Sequence, residues 1–92
     1  MSAYRIVIAD DHVLFRQGLR KLIQESEQLV VTGEAQDGIE LLKMLKNTSA
    51  DMIILDISMP KLRGIEATRE VKMSHPSVKV LILTMHKNGL KI

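Results

Sequence analysis

Two short apolar runs in this chain end on aspartate: Arg5-Ile6-Val7-Ile8-Ala9 runs into Asp10-Asp11, and Met52-Ile53-Ile54-Leu55 runs into Asp56. Neither run alternates with polar residues, so a strand built from either must be covered on both faces, as in a parallel sheet flanked by helices. In an open α/β sheet the ligand site lies just beyond the carboxyl ends of the strands. Three carboxylates are thereby expected at one mouth. Like charges held together there repel unless a cation binds or a proton is retained, and a hard divalent metal is the natural partner.

The segments between these runs have helical spacing. Residues 13–26 place Leu14, Gly18, Leu19, Leu22 and Ile23 on one side, predicting a first helix. Residues 29–35 carry Val30, Val31 and Thr32, β-branched residues suited to a strand, and Asp37-Gly38 supplies a turn. Residues 39–47 predict a short second helix through Ile39, Leu41, Leu42 and Leu45, closing at Asn47. A third strand covers 51–56, and a loop with Pro60 and Gly64 leads to a third helix over about 65–75, expected to bury Ile65, Thr68 and Val71 before Pro76 stops it. Val78, Val80, Leu81, Ile82 and Leu83 form a fourth strand ending at Thr84. The order β-α-β-α-β-α-β turns into a parallel sheet with helices on both faces when crossovers are right-handed. One domain, residues 1–92, is expected, without internal repeats or linkers.

Composition narrows the function classes. Hydrophobic residues at 46% against 26% charged give a chain that buries a core rather than staying disordered. The absence of cysteine removes disulfides and thiolate metal sites. No apolar stretch approaches the roughly 20 residues of a membrane span, and an opening segment containing Asp10 and Asp11 does not read as a signal peptide, so a cytoplasmic protein is expected. Net charge is +2, with basic residues dispersed among acidic ones, which reads as a solvated surface and predicts neither nucleic-acid nor membrane binding. Neither GxGxxG nor GxxxxGK[ST] is present, so dinucleotide and P-loop chemistry lack their first requirement.

Ile8-Ala9-Asp10-Asp11-His12, Leu55-Asp56-Ile57-Ser58-Met59-Pro60, Gly64 and Leu83-Thr84 together resemble the receiver domain of two-component response regulators. The run from Asp11 to Leu19 further resembles the NarL/FixJ-type subfamily, whose members carry a C-terminal helix-turn-helix output domain. The resemblance spans nearly the whole chain. It implies a flavodoxin-like doubly wound sheet with strand order 2-1-3-4, and Asp56 as acceptor of a phosphoryl group from a partner histidine kinase. It also implies Mg²⁺ held directly by Asp11 and Asp56, directly or through water by Asp10, and by the backbone carbonyl of Ser58. Thr84 matches the switch hydroxyl that bonds a phosphoryl oxygen. The chemistry is consistent: a carboxylate attacking phosphorus needs a cation to neutralise the phosphoryl oxygens, and Mg²⁺ takes few protein ligands while keeping several waters.

Taken singly, these residues have plainer readings. A lone strand-terminal aspartate is a helix cap or turn former, but caps would not need two adjacent acids after one strand and another after a second. A threonine at a strand end follows from β-propensity; Pro60 and Gly64 read as loop-shaping residues. His12 at the rim of the site, His75 before Pro76 and His86 in the tail each read as surface or capping residues rather than metal ligands. The six methionines read as core filler and loop residues.

The chain departs from a complete receiver after its fourth strand. The family's fourth helix, fifth strand and fifth helix are expected to be absent, and with them the lysine that pairs with the phosphoryl group, since Lys87 and Lys91 lie too early. A truncated receiver has an open outer edge on strand four, which predicts a homodimer by edge pairing or exchange of elements. The alternative reading is a phosphorylation-impaired fragment acting as a dimerisation module. An aspartyl phosphotransferase or phosphatase resembling the haloacid dehalogenase group wants a second aspartate two residues after the nucleophile, where this chain has Ser58. Turnover of a separate substrate, and hence an enzyme, is not expected.

Overall fold

The computed structural model describes residues 3–57, 64–86 and 89–91. In chain order the elements are β1 (Tyr4–Ala9), α1 (Val13–Gln24), β2 (Leu29–Ala35), α2 (Gly38–Leu45), β3 (Met52–Asp56), α3 (Gly64–Ser74), β4 (Lys79–His86) and β5 (Gly89–Lys91). The sheet runs β2-β1-β3-β4-β5. Its first four strands are parallel, with Ile6 opposite Met52 and Ile53 opposite Val80. The chain crosses from β2 on one side of β1 to β3 on the other, so β1 and β3 are adjacent and their carboxyl ends lie side by side.

Side-chain alternation explains why the strand runs are continuously apolar. Ile6 and Ile8 of β1 and Ile54 of β3 pack with Ile23 of α1, while Val7, Ala9, Ile53 and Leu55 pack with Leu41 and Leu45 of α2 and Ala67 and Val71 of α3. Both faces of β1 from Ile6 onward and of β3 from Ile53 onward are therefore buried, which is why these stretches are continuously apolar up to the terminal aspartates.

The helices begin where local chemistry allows it. Asp37 caps α2 by accepting a hydrogen bond from the Glu40 N–H at 2.8 Å, and the Glu40 carboxylate in turn accepts from the Gln36 N–H at 3.2 Å. At the amino edge of the sheet, Asp51 accepts from the Arg5 N–H (2.7 Å), Nε (3.1 Å) and Nη2 (3.0 Å), locking the start of β1 to the segment entering β3.

Two expectations, the burial of Ile65 and the end of pairing at Thr84, are corrected. Ile65 is exposed, because Ala67 and Val71 are the residues of α3 that face the sheet and Ile65 lies about 200° around the helix from Ala67. On α1, Leu14, Gly18, Leu19 and Leu22 share one side as expected, lining a groove beside β4; Ile23 is the buried residue, Phe15 and Leu19 pack partly, and Leu14 and Leu22 are exposed. The chain also does not stop pairing at Thr84. β4 continues to His86, and β5 returns antiparallel beside it, Thr84 opposite Lys91 and His86 opposite Gly89. The outer edge of β4 is thus partly covered, while residues before Thr84 have no outer strand among the described residues.

Candidate functional site

Asp10 and Asp56 reach the same mouth because their strands are neighbours. The Asp10 N–H donates to the Ala35 carbonyl at 2.9 Å, continuing the β1–β2 ladder one residue past the strand. Asp56 is the last residue of β3, opposite Leu83, and the following Ile57 N–H donates to the Leu83 carbonyl at 3.1 Å. Both carboxylates are buried; Asp11, at the turn into α1, is exposed.

His12 completes the cluster. It is the N-cap of α1 but makes no side-chain cap bond. Instead its ring turns back to the mouth, with Nδ1 at 2.8 Å from Asp10 Oδ1, 3.1 Å from Asp11 Oδ1 and 3.7 Å from Asp56 Oδ2. Asp10 Oδ1 also accepts the His12 N–H at 2.6 Å, fixing the turn that carries the ring. Ligand atoms of Asp10, Asp11, His12 and Asp56 all lie within 4.8 Å of one another. Around them, Arg16 donates to the Asp10 carbonyl and to Glu34 at 3.2 Å, and Arg20 donates to Glu34 at 2.6 Å, tying α1 to β2 beneath the mouth.

The electrostatics mark an uncompensated site. Burial raises the Asp10 carboxyl above the usual aspartate range; the hydrogen bonds from His12 oppose this and the neighbouring Asp56 adds to it. The hydrogen bond to Asp10 raises the His12 imidazole above its ordinary value, opposed by desolvation and aided by the charges of Asp11, Asp10 and Asp56. Asp10 Oδ2 is buried without a hydrogen-bond partner. A buried acceptor lacking a donor is costly, and a divalent cation would satisfy it while neutralising the carboxylates. The residues present therefore fit a hard divalent ion.

Asp10, Asp11 and Asp56 are brought together as a group. Thr84 lies in β4 one residue beyond Leu83, at the same end of the sheet, and Ser58 lies outside the described residues. The residue that sequence reasoning placed only at the rim is His12. Its position three residues past the end of β1 and two after Asp10, where the chain must turn into a helix, is the signal that would have found it.

A family model for the response regulator receiver domain matches residues 6–91. The chain is 39% identical over 82 residues to the transcriptional regulatory protein DegU of Brevibacillus brevis, a match covering 89% of this chain and 35% of that protein. It is 36% identical over 81 residues to the response regulator UvrY of Escherichia coli strain K12, covering 88% of this chain and 37% of UvrY. Among solved structures it is similar to the non-phosphorylated receiver domain of the stress response regulator RcsB from Escherichia coli, with a TM-score of 0.85 and 34% identity over 95% of this chain and 69% of that one. The chain spans between about a third and two fifths of the length of these curated relatives.

Proposed function

This chain belongs to the response regulator receiver family, of the NarL/FixJ type, and from that membership we propose that it accepts a phosphoryl group on Asp56 from a histidine kinase. The observation that carries the proposal is the buried Asp56 carboxylate beside Asp10 and Asp11 at one mouth of the sheet. Asp10, Asp11 and Asp56, with the Ser58 backbone carbonyl, would hold Mg²⁺. When bound, that ion supplies positive charge against the phosphoryl oxygens.

Asp56 has the position of a nucleophile. One carboxylate oxygen forms the bond to phosphorus as the bond from phosphorus to the donor nitrogen breaks; the electron pair stays on the donor imidazole, which is left neutral or takes a proton from solvent. Burial strips water from the attacking oxygen, and the fixed end of β3 holds it in place. Thr84 would donate its hydroxyl to a phosphoryl oxygen, coupling the acyl phosphate to β4. The role is that of a phosphoprotein signal carrier acting in the cytoplasm rather than of an enzyme with a separate substrate; no described helix is long and apolar enough to cross a membrane.

Incubation with a small phosphodonor and Mg²⁺ is expected to add one phosphate mass to the chain, and Asp56→Asn is expected to abolish the adduct. An unmutated chain that gains no mass with donor and Mg²⁺ overturns the proposal. A second reading, assembly through paired copies without phosphorylation, is favoured by a groove of about 650 Å³ between α1 and β4, lined by Leu14, Phe15, Leu19, Leu22, Leu81 and Leu83.

A further inference from the structure

The three carboxylates of the mouth are not anchored alike. Asp56 is buried at the end of β3 and Asp10 is buried with its N–H held by the Ala35 carbonyl, whereas Asp11 is exposed, one residue beyond that ladder bond. Repulsion from its two buried neighbours pushes the Asp11 side chain toward solvent until a cation binds. Arg16 closes the turn that carries it. The Arg16 N–H donates to the His12 carbonyl at 3.0 Å and its Nη1 donates to the Asp10 carbonyl, so one residue of α1 grips both ends of the Asp10-Asp11-His12 turn. The Asp10 carbonyl belongs to the planar peptide linking Asp10 to Asp11, and a bond that fixes its direction also fixes where Asp11 leaves the strand. The guanidinium is itself held: Nε donates to Glu34 Oε1 at 3.2 Å, with the Arg16 and Glu34 side chains 14% and 21% exposed.

We propose that Arg16 is a positioning residue for the cation site, holding Asp11 at the mouth through the Asp10 carbonyl, with Glu34 aiming its guanidinium. The inference rests on the reading of the mouth as a Mg²⁺ site and adds what keeps the exposed carboxylate in place before the ion binds. A ligand ordered in advance spares the ion the cost of ordering it, so Arg16 strengthens binding while supplying no ligand atom. Glu34 balances the guanidinium charge, so Arg16 does not stand in for the ion. The planar fork is what the role requires: its donors span a carbonyl and a carboxylate at once, whereas a lysine ammonium is a single point of charge.

The test measures Mg²⁺ affinity of the full chain by titration calorimetry and, without metal, the backbone amide signals of Asp11 and His12 by NMR. Arg16→Gln is expected to weaken Mg²⁺ binding about tenfold or more and to move both amide signals in the metal-free chain. Arg20→Gln is the control, since it removes the exposed 2.6 Å bond from α1 to the other oxygen of Glu34 and leaves the Asp10 carbonyl held. Its affinity should stay within about twofold of the unmutated chain, with both amide signals in place. Arg16→Lys keeps the charge without the fork and is expected to weaken binding about threefold or more; it decides the matter should Arg16→Gln fail to fold. Unchanged affinity in Arg16→Gln or Arg16→Lys, or an equal loss in Arg20→Gln, overturns the inference while the Mg²⁺ site stands. An unmutated chain that binds no Mg²⁺ overturns the reading of the site, and the inference with it.

Discussion

Asp10 concentrates the cost of the site in one side chain. It is buried, one of its oxygens has no partner, and burial with the nearby Asp56 raises its carboxyl above the usual range. A carboxyl whose folded-state pKa is raised destabilises the fold in its ionised form, so the cost is present at neutral pH and fades as pH falls and the group protonates. Asp10→Asn removes that charge while keeping an oxygen to accept from the His12 N–H. Metal-free Asp10→Asn is therefore expected to be more stable by about 1 kcal/mol, a rise of roughly 4–8 °C in melting temperature for a domain of this size, and to bind Mg²⁺ more weakly. Calorimetry with and without Mg²⁺ checks both halves, and a lower melting temperature would mean that the ionised carboxylate is already compensated. The aspartates were legible in the sequence because each ends an apolar run. The ring of His12 was read only as a rim residue: an aspartate two residues ahead signals a turn that holds the His12 N–H, but it does not say which way the ring points.

At the level of elements, the parts set by local chemistry were the easiest to read. The Asp37-Gly38 turn marks the start of α2, and the structure adds the cap: Asp37 accepts from Glu40 at 2.8 Å. Asp37→Ala is expected to cost about 1 kcal/mol, measured as a lower urea midpoint with an unchanged slope. Ile65 was misread because its bulk drew the apolar stripe to it, whereas Ala67, small, easily passed over and about 200° away, is the residue that meets the sheet with Val71. β5 was missed because three residues, Gly89–Lys91, carry too little pattern to read as a strand. The Arg5–Asp51 pair at the far end of β1 gives a pH signature of its own. The Arg5 side chain and N–H hold the Asp51 carboxyl below its ordinary value. A depressed carboxyl contributes stability above its unfolded pKa of about 3.9 and loses it as pH falls through the lower folded value. The stability gap between the unmutated chain and Asp51→Asn should be flat near neutral pH and close in acid below about pH 4, as followed by thermal unfolding.

For the molecule as a whole, the sheet is not equally covered. α1 lies on one face and α2 and α3 on the other, yet Leu14 and Leu22 of α1 are 83% and 65% exposed beside Leu81 and Leu83 of β4. Apolar residues grouped in this way are a site of association more often than a plain surface. A second copy is a self-consistent occupant, because Lys21 and Glu25 stand on the groove's rim and a two-fold axis would set Lys21 of one copy against Glu25 of the other. Burying about 500 Å² of apolar area is worth on the order of 12 kcal/mol at about 25 cal/mol/Å², and association costs roughly 4–15 kcal/mol. The balance is small, so the dimer should depend on concentration. The antiparallel β5 covers the edge of β4 only from Thr84 onward, which leaves the groove rather than the edge as the larger apolar surface. Light scattering over a concentration series is expected to show the unmutated chain passing from monomer to dimer, and Leu22→Glu to remain monomeric with an unchanged far-ultraviolet circular dichroism spectrum. Asp56→Asn should leave that equilibrium where it is, since the groove lies against α1 and β4 rather than at the mouth. A Leu22→Glu chain that still dimerises would move the interface to the uncovered stretch of β4 before Thr84, where edge pairing needs no leucine from α1.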